Sequence, residues 1–159
     1  MRFKFVYILH FVIICLFIAS IVFGILQYDQ LVQTNGDYHL IFYNAKWITI
    51  FKSSLLLILP MIGVFIKKPI AWVLTIQYFY YALFEVLILG YENFNSINYT
   101  FYIALLIPVS LILFSNHNQI TFHYKLNGFN IFRNNLISAI IGFTSSMMFL
   151  LINNQDFIQ

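Results

Sequence analysis

One set of polar side chains lies inside apolar sequence, where its chemistry is most constrained. Gln77, Tyr81 and Glu85 are spaced four residues apart, so they share one side of a helix, and Tyr78 lies beside them. Lys52 stands at a matching depth in the preceding apolar run. A lone charge in a bilayer costs roughly 3 kcal/mol, so such groups pair with each other or face water. The spacing predicts a Lys52–Glu85 ion pair within an inward-facing polar stripe.

This polar stripe has two interpretations. In the first, it fixes which helices are neighbours, through contacts that average only ~0.6 kcal/mol each. In the second, it forms a path for a proton, an ion or a polar ligand, with Glu85 as the titrating group. Transport sites usually contain several intramembrane acids, and Glu85 is the single acid at that depth, which favours the structural role. Pro60 and Gly63 allow a kink in the first run, and so the second interpretation stays open.

Long apolar runs position the stripe. Residues 47–66 and 69–90 each have about the 20 residues that a helix needs to cross ~30 Å of hydrocarbon, and the short turn between them makes them antiparallel. The chain is 62% hydrophobic and 8% charged, well below the ~25% charge of globular domains. We therefore predict one all-α membrane domain over residues 1–159. Its bundle of about five transmembrane helices spans about residues 3–27, 47–66, 69–90, 99–115 and 136–152.

Two loop segments are predicted to form β-hairpins. An Asn-Gly pair at positions 35 and 36 lies between short β-prone runs, and Asn-Gly suits the positive φ angles of a type I′ turn. In the second segment, apolar and polar residues alternate before another Asn-Gly pair, at positions 127 and 128, and a period of two indicates a strand. We expect an outer hairpin over 31–43 and a cytoplasmic hairpin over 119–132.

Small residues mark two close-packing helix faces. Ser20 and Gly24 are four residues apart in the first apolar run, and Ser138, Gly142 and Ser146 repeat every four residues in the last. Such faces let helix backbones approach closely. The two faces could meet within one chain, or the last could meet its twin in an oligomer, and the sequence does not separate these arrangements.

The charge distribution predicts how the chain is oriented. The loops and termini between the predicted spans lie alternately on the two sides of the membrane. Those on one side carry the basic residues Arg2, Lys4, Lys67, Lys68, Lys125 and Arg133, and those on the other side carry Asp29, Asp37, Glu92 and Asp156. Because basic loops stay cytoplasmic, we expect a cytoplasmic N-terminus and an external C-terminus. The composition fits a bacterial inner membrane. The basic residues are too dispersed for a nucleic-acid surface.

No motif in the chain indicates a particular biochemical activity. There is no phosphate loop or nucleophile elbow, Cys15 is alone, and the four histidines lack ligand spacing, so we expect no enzyme, cofactor or metal site. The first hypothesis is a non-enzymatic membrane subunit that self-associates or binds a protein partner, such as a scaffold, a sensor or an immunity- or defence-type component. Its candidate partner-binding residues are Phe122, Tyr124, Lys125 and Arg133.

Two alternatives remain. The face of the cytoplasmic hairpin could rest on membrane lipid, with its two basic residues at the phosphates. The whole protein could instead be a small oligomeric channel or transporter whose polar path runs along Gln77, Tyr81 and Glu85 with Lys52. In either case we expect membrane lipid around the protein, and a homo-oligomer or a subunit of a larger membrane complex.

Overall fold

The computed structural model describes residues 4–35, 48, 50–92 and 99–155 of the 159-residue chain. Over these residues the fold is all-helical, and none of them forms a strand. The helices are α1 (Lys4–Asn35), α2 (Lys52–Val64), α3 (Pro69–Glu92), α4 (Tyr99–Ser115), α5 (Asn118–His123) and α6 (Gly128–Gln155).

Three of the described helices are long and apolar enough to cross a membrane, in the ranges Lys4–Gln33, Pro69–Tyr91 and Gly128–Ile152. The prediction of five spans is therefore wrong in number. Helices α2 and α4 form where they were expected, but they have 13 and 17 residues. At ~1.5 Å per residue these lengths are about 20 Å and about 26 Å, less than the ~30 Å of a bilayer core.

Helix α2 shows why residues 47–66 were wrongly predicted to form one full membrane span. The run covers residues 47–66, but Phe51 lies at the N-cap of the helix and Phe65 at its C-cap, so helix α2 does not extend over the whole run. Hydropathy measures how much of a segment is apolar, whereas spanning depends on how many residues keep helical geometry. Pro60 lies inside α2 and does not end it.

Helix α3 is the centre of the bundle. It packs against α2, α4 and α6, while α1 packs against α2 and α5. Its most apolar stretch is 39% buried, against 17% for the corresponding stretches of α1 and α6. Trp72 and Ile76 of α3 are fully buried together with Leu9 and Ile13 of α1. The Trp72 indole N–H donates a hydrogen bond to the Ser115 carbonyl, over 3.3 Å, and so satisfies its one donor inside the core.

The predicted cytoplasmic hairpin over 119–132 is wrong, because this segment is helical. The short helix α5 buries Ile120 and Thr121, whereas Phe122 is exposed, so the alternation in the sequence is not an inside–outside pattern. The Asn127 side chain accepts a hydrogen bond from the Asn130 backbone N–H, at 3.0 Å. Asn127 is thus the N-cap of α6, a position that asparagine favours as strongly as it favours turns.

The predicted outer hairpin over 31–43 is only partly covered by the structure. Residues 31–35 continue helix α1, so its proposed first strand is not a strand at those positions. The remaining positions, 36–43, lie outside the described residues.

Helix α5 ends in a Schellman motif that has lysine where glycine is usual. The Leu126 N–H donates to the Thr121 carbonyl at 2.9 Å, and the Lys125 N–H donates to the Phe122 carbonyl at 3.1 Å. These bonds place Lys125 at a φ of 57°. The left-handed conformation costs a non-glycine residue roughly 1–2 kcal/mol, because its Cβ approaches the following carbonyl.

Replacing Lys125 with glycine should therefore stabilise the protein. We expect a rise of about 1 kcal/mol in the free energy of unfolding, since the Cβ penalty is removed and part of the gain is lost to chain entropy. The measurement is thermal unfolding in a neutral detergent. Lys125→Ala is the matched control, because it removes the same charge and keeps the Cβ, and it should show no such gain. Equal stability of the two variants would show that the left-handed conformation of Lys125 does not strain the backbone.

Candidate functional site

The predicted ion pair is present. Lys52 lies in the first turn of α2 and Glu85 lies on α3, and the Lys52 ammonium donates to Glu85 Oε1. Each side chain keeps 25% of its surface exposed. The pair therefore joins two neighbouring helices without being sealed inside the bundle.

The rest of the polar stripe faces the interior. Gln77 and Tyr81 are 4% and 2% exposed, and Tyr78 is half-buried with its ring 5.9 Å from that of Tyr81. Tyr81 also lies close to the Glu85 carboxylate. Together with the Lys52 pair, all five predicted residues thus cluster between α2 and α3 and along the buried side of α3.

The first small-residue face packs against α2. The Ser54 hydroxyl of α2 donates to the Ser20 hydroxyl over 3.0 Å, and Ser20 donates to the Phe17 carbonyl of its own helix over 2.8 Å. A Cβ on Gly24 would lie 2.7 Å from the Phe51 ring. Ser20 and Gly24 thus hold α1 to the beginning of α2.

The second small-residue face packs against α3. Ser138 donates to the Val73 carbonyl at 3.4 Å, and Ser146 donates to the Tyr81 carbonyl at 3.2 Å. Between them, a Cβ on Gly142 would lie 2.6 Å from the Tyr81 backbone nitrogen. The contacts of these three residues are made with α3 of the same chain, and not with the Ser20–Gly24 face.

A cluster of one tyrosine and two asparagines joins three helices, and the sequence analysis did not predict it. Tyr80 of α3 donates to Asn135 Oδ1 at 2.9 Å, and Asn135 Nδ2 donates to Asn116 Oδ1 at 2.7 Å. Asn116 Nδ2 in turn donates to the Ile112 carbonyl at the end of α4, at 2.8 Å. The sequence contains one feature that could have indicated this cluster: Asn116 directly follows one apolar run, and Asn135 directly precedes the next.

Basic residues gather at one end of the bundle, which we call the basic end. It comprises the beginning of α1, the α2–α3 turn and the α5–α6 junction, and it carries the exposed residues Lys4, Lys67, Lys68, Lys125 and Arg133. Here the Tyr124 hydroxyl and His10 Nε2 share a hydrogen bond of 3.1 Å, and the His10 and His123 rings are 5.9 Å apart.

The positive charge of the basic end comes from lysine and arginine. Burial, and then the positive charge of Lys67, lower the pKa of His123 below its ordinary value. This imidazole is therefore neutral near pH 7. Burial also raises the pKa of Tyr124, so its phenol remains a neutral hydrogen-bonding group.

Exposed aromatic and cationic side chains form a patch at the α5–α6 junction, which we call the junction surface. Phe122, Phe129 and Phe132 are 74%, 75% and 72% exposed, and Lys125 and Arg133 are exposed beside them. On α6, positions 129, 132 and 133 share one helix face by their spacing. Tyr124, predicted to be a partner-binding residue with Phe122, is instead fully buried, and its hydroxyl shares a hydrogen bond with His10 of α1.

No protein-family model, curated protein or solved structure matches this chain. Within the described ranges, no group of three or more histidine, cysteine or acidic side chains is placed to hold a metal ion. Over the residues that the structure describes, the fold is all-helical and has three candidate membrane spans, an ion pair between α2 and α3, and a basic end with exposed aromatic residues.

Proposed function

We propose that this protein is a non-enzymatic integral membrane subunit that acts by binding a protein partner through the junction surface. It would serve as a scaffold, a sensor or an immunity- or defence-type component in a bacterial inner membrane. The observation that carries the proposal is the exposure of three phenylalanines, each above 70%, next to Lys125 and Arg133.

The composition of the junction surface supports a protein partner. Aromatic residues and arginine are enriched in protein interfaces, where they supply most of the binding energy. Arginine also stacks on aromatic rings and forms bidentate bonds to carboxylates. A partner with an acidic rim around an apolar pocket would complement Phe129, Phe132 and Arg133.

The interior of the bundle supports the same proposal by elimination. Ser20, Gly24, Ser138, Gly142 and Ser146 all make contacts between helices of one chain. These small-residue faces are therefore occupied, and an oligomer or complex needs another surface.

The positive-inside rule assigns this end of the bundle to the cytoplasm. Because α1 and α6 both begin at the basic end, the N-terminus of α1 would then lie inside and the end of α6 outside. The junction surface would thus meet a cytoplasmic protein or the cytoplasmic part of a membrane protein.

Site-specific photo-crosslinking tests the proposed contact. Benzoylphenylalanine in place of Phe122 should give a discrete protein adduct when native membranes are irradiated. The matched control is the same substitution at Leu106, an apolar residue of α4 that is 67% exposed and remote from the junction surface. It should give no discrete adduct. An adduct at Leu106 only, or at neither position, would contradict the proposal.

A small oligomeric channel or transporter is the second candidate function. It is favoured by the quarter of the Lys52 and Glu85 surface that remains exposed, because an exposed charge within a bilayer needs water or a polar neighbour. The path would run along Gln77, Tyr81 and Glu85. A closed homo-oligomer that extracts with no other protein would favour this candidate over the first.

A further inference from the structure

Two adjoining clefts lie at the basic end, each with a volume of about 440 Å³. The first lies between the beginning of α1, the end of α2 and α5, and its lining includes Val6, His10, Val64, Phe65, Lys67 and His123. The second is lined by Lys67, Phe122, His123, Lys125 and Leu126. Lys67 and His123 line both clefts, so the two lie side by side, and we call them together the depression.

The charge of this depression favours an anion. Lys67 and Lys125 are exposed cations, and none of the lining residues is acidic. The acidic residues whose side chains the structure describes, Asp29 and Glu85, lie on the far parts of α1 and α3. No carboxylate in the lining therefore neutralises the two lysines.

The apolar part of the lining favours acyl chains. Phe65 and Phe122 are 79% and 74% exposed, and Val64 at the end of α2 lies beside Phe65 in the same lining. A ligand that fits both parts has an anionic head beside the lysines and hydrocarbon along the phenylalanines. Basic pockets of this type between membrane helices bind phospholipid headgroups.

We propose that this depression binds the phosphate of one anionic membrane phospholipid, with Lys67 and Lys125 contacting the phosphate oxygens and the acyl chains lying along Phe65 and Phe122. His10 and His123 also line the depression. The lipid and the proposed protein partner would share Phe122 and Lys125, whereas Lys67 and Phe65 line the depression and lie outside the junction surface. Variants at Lys67 and Phe65 therefore test the lipid site separately from the protein partner.

Lipid retention tests the proposal. The full chain is reconstituted in phosphatidylcholine discs with and without phosphatidylglycerol, then transferred to mild detergent, and the lipid that stays bound is counted by native mass spectrometry. Wild type should retain one phosphatidylglycerol. Lys67→Gln should lower retention about fivefold, because a basic side chain near anionic headgroups contributes about a factor of that size.

Lys68→Gln is the matched control. Lys68 is the next residue, is equally basic and exposed, and lines neither cleft. It should retain phosphatidylglycerol as wild type does, and both variants should melt within about one degree of wild type. Equal losses in the two variants would overturn the proposal, because they would indicate diffuse charge attraction.

A second arm separates a lipid from a free phosphate. Inorganic phosphate at 10 mM is added to the detergent-solubilised protein, and the melting temperature is compared with that after phosphatidylglycerol is added. The proposal expects a larger rise with the lipid, reduced by Phe65→Ser as well as by Lys67→Gln. An equal rise with inorganic phosphate, or no effect of Phe65→Ser, would overturn the assignment to a phospholipid.

Discussion

Replacing Gly142 with alanine is expected to lower the free energy of unfolding by about 1–3 kcal/mol, which is the usual effect of overpacking a well-packed contact. The added Cβ would lie 2.6 Å from the Tyr81 nitrogen and 2.9 Å from the Tyr80 carbonyl carbon. Both atoms belong to the backbone of α3, so no side-chain rotation removes the clash. The hydrogen bonds from Ser138 and Ser146 to carbonyls of α3 would lengthen as α6 moves outward.

The sign of this effect is diagnostic, because alanine favours a helix over glycine by ~1 kcal/mol when nothing else changes. Gly128→Ala is the matched control on the same helix, since a Cβ there meets no atom within 4 Å. It should leave stability unchanged or raise it slightly. Thermal unfolding in detergent measures both variants. A Gly142→Ala protein as stable as Gly128→Ala would contradict the close α3–α6 contact.

Replacing Lys52 with methionine is expected to cost about 2–3 kcal/mol. The substitution leaves the Glu85 carboxylate without its cation in a largely apolar setting, and a lone intramembrane charge carries a penalty of that size. Glu85→Leu should cost a similar amount for the same reason. Because each side chain is 25% exposed, both estimates are lower than the roughly 3–5 kcal/mol lost when a fully buried pair is broken.

The double variant separates the ion pair from simple loss of packing. Lys52→Met combined with Glu85→Leu removes both charges, so it should be more stable than the sum of the two single losses predicts. Measured by unfolding in detergent, a coupling of about 1 kcal/mol or more is expected. Strictly additive losses would show that the two side chains stabilise the bundle independently.

The polar stripe could be predicted from sequence because the hydrocarbon of a membrane strongly disfavours unpaired charged and polar groups. A charge within an apolar run must find a partner, and Lys52 and Glu85 were the two candidates at one depth. Four-residue spacing then placed Gln77 and Tyr81 on the same buried side as Glu85. These inferences depend on helix geometry alone, and they do not require knowledge of where each helix ends.

The number of spans could not be predicted in the same way. Residues 47–66 are mostly apolar, yet helix α2 covers only Lys52–Val64. The difference arises because helix ends depend on caps and neighbouring turns, which hydropathy does not record.

The error at 119–132 has a related cause. Asn-Gly starts a hairpin when strands flank it and caps a helix when a helix follows, because asparagine accepts a backbone N–H in both settings. The alternation before it consists of only a few residues, and Tyr124 is buried by its contact with His10 of α1, a residue far away in the chain. Tertiary packing, and not the local sequence pattern, thus determines the secondary structure of this segment.

The amide cluster of Asn116 and Asn135 illustrates a further limit. Each asparagine alone resembles an ordinary polar residue at a helix end. Their shared hydrogen bond with each other, and the bond from Tyr80, exist only because α3, α4 and α6 converge at the basic end. Nothing in the spacing of the chain indicates that convergence.

The native mass of the gently extracted protein tests the proposed association most directly. For wild type we expect a complex that contains a second protein in fixed ratio, and for Phe122→Asp we expect that protein to be lost while the variant still inserts in the membrane at wild-type levels. Leu106→Asp would disturb insertion instead, so Leu106→Ser serves as the control and should keep the complex. A wild-type protein that extracts as a single copy, or as a closed homo-oligomer unaffected by Phe122→Asp, would contradict the proposal.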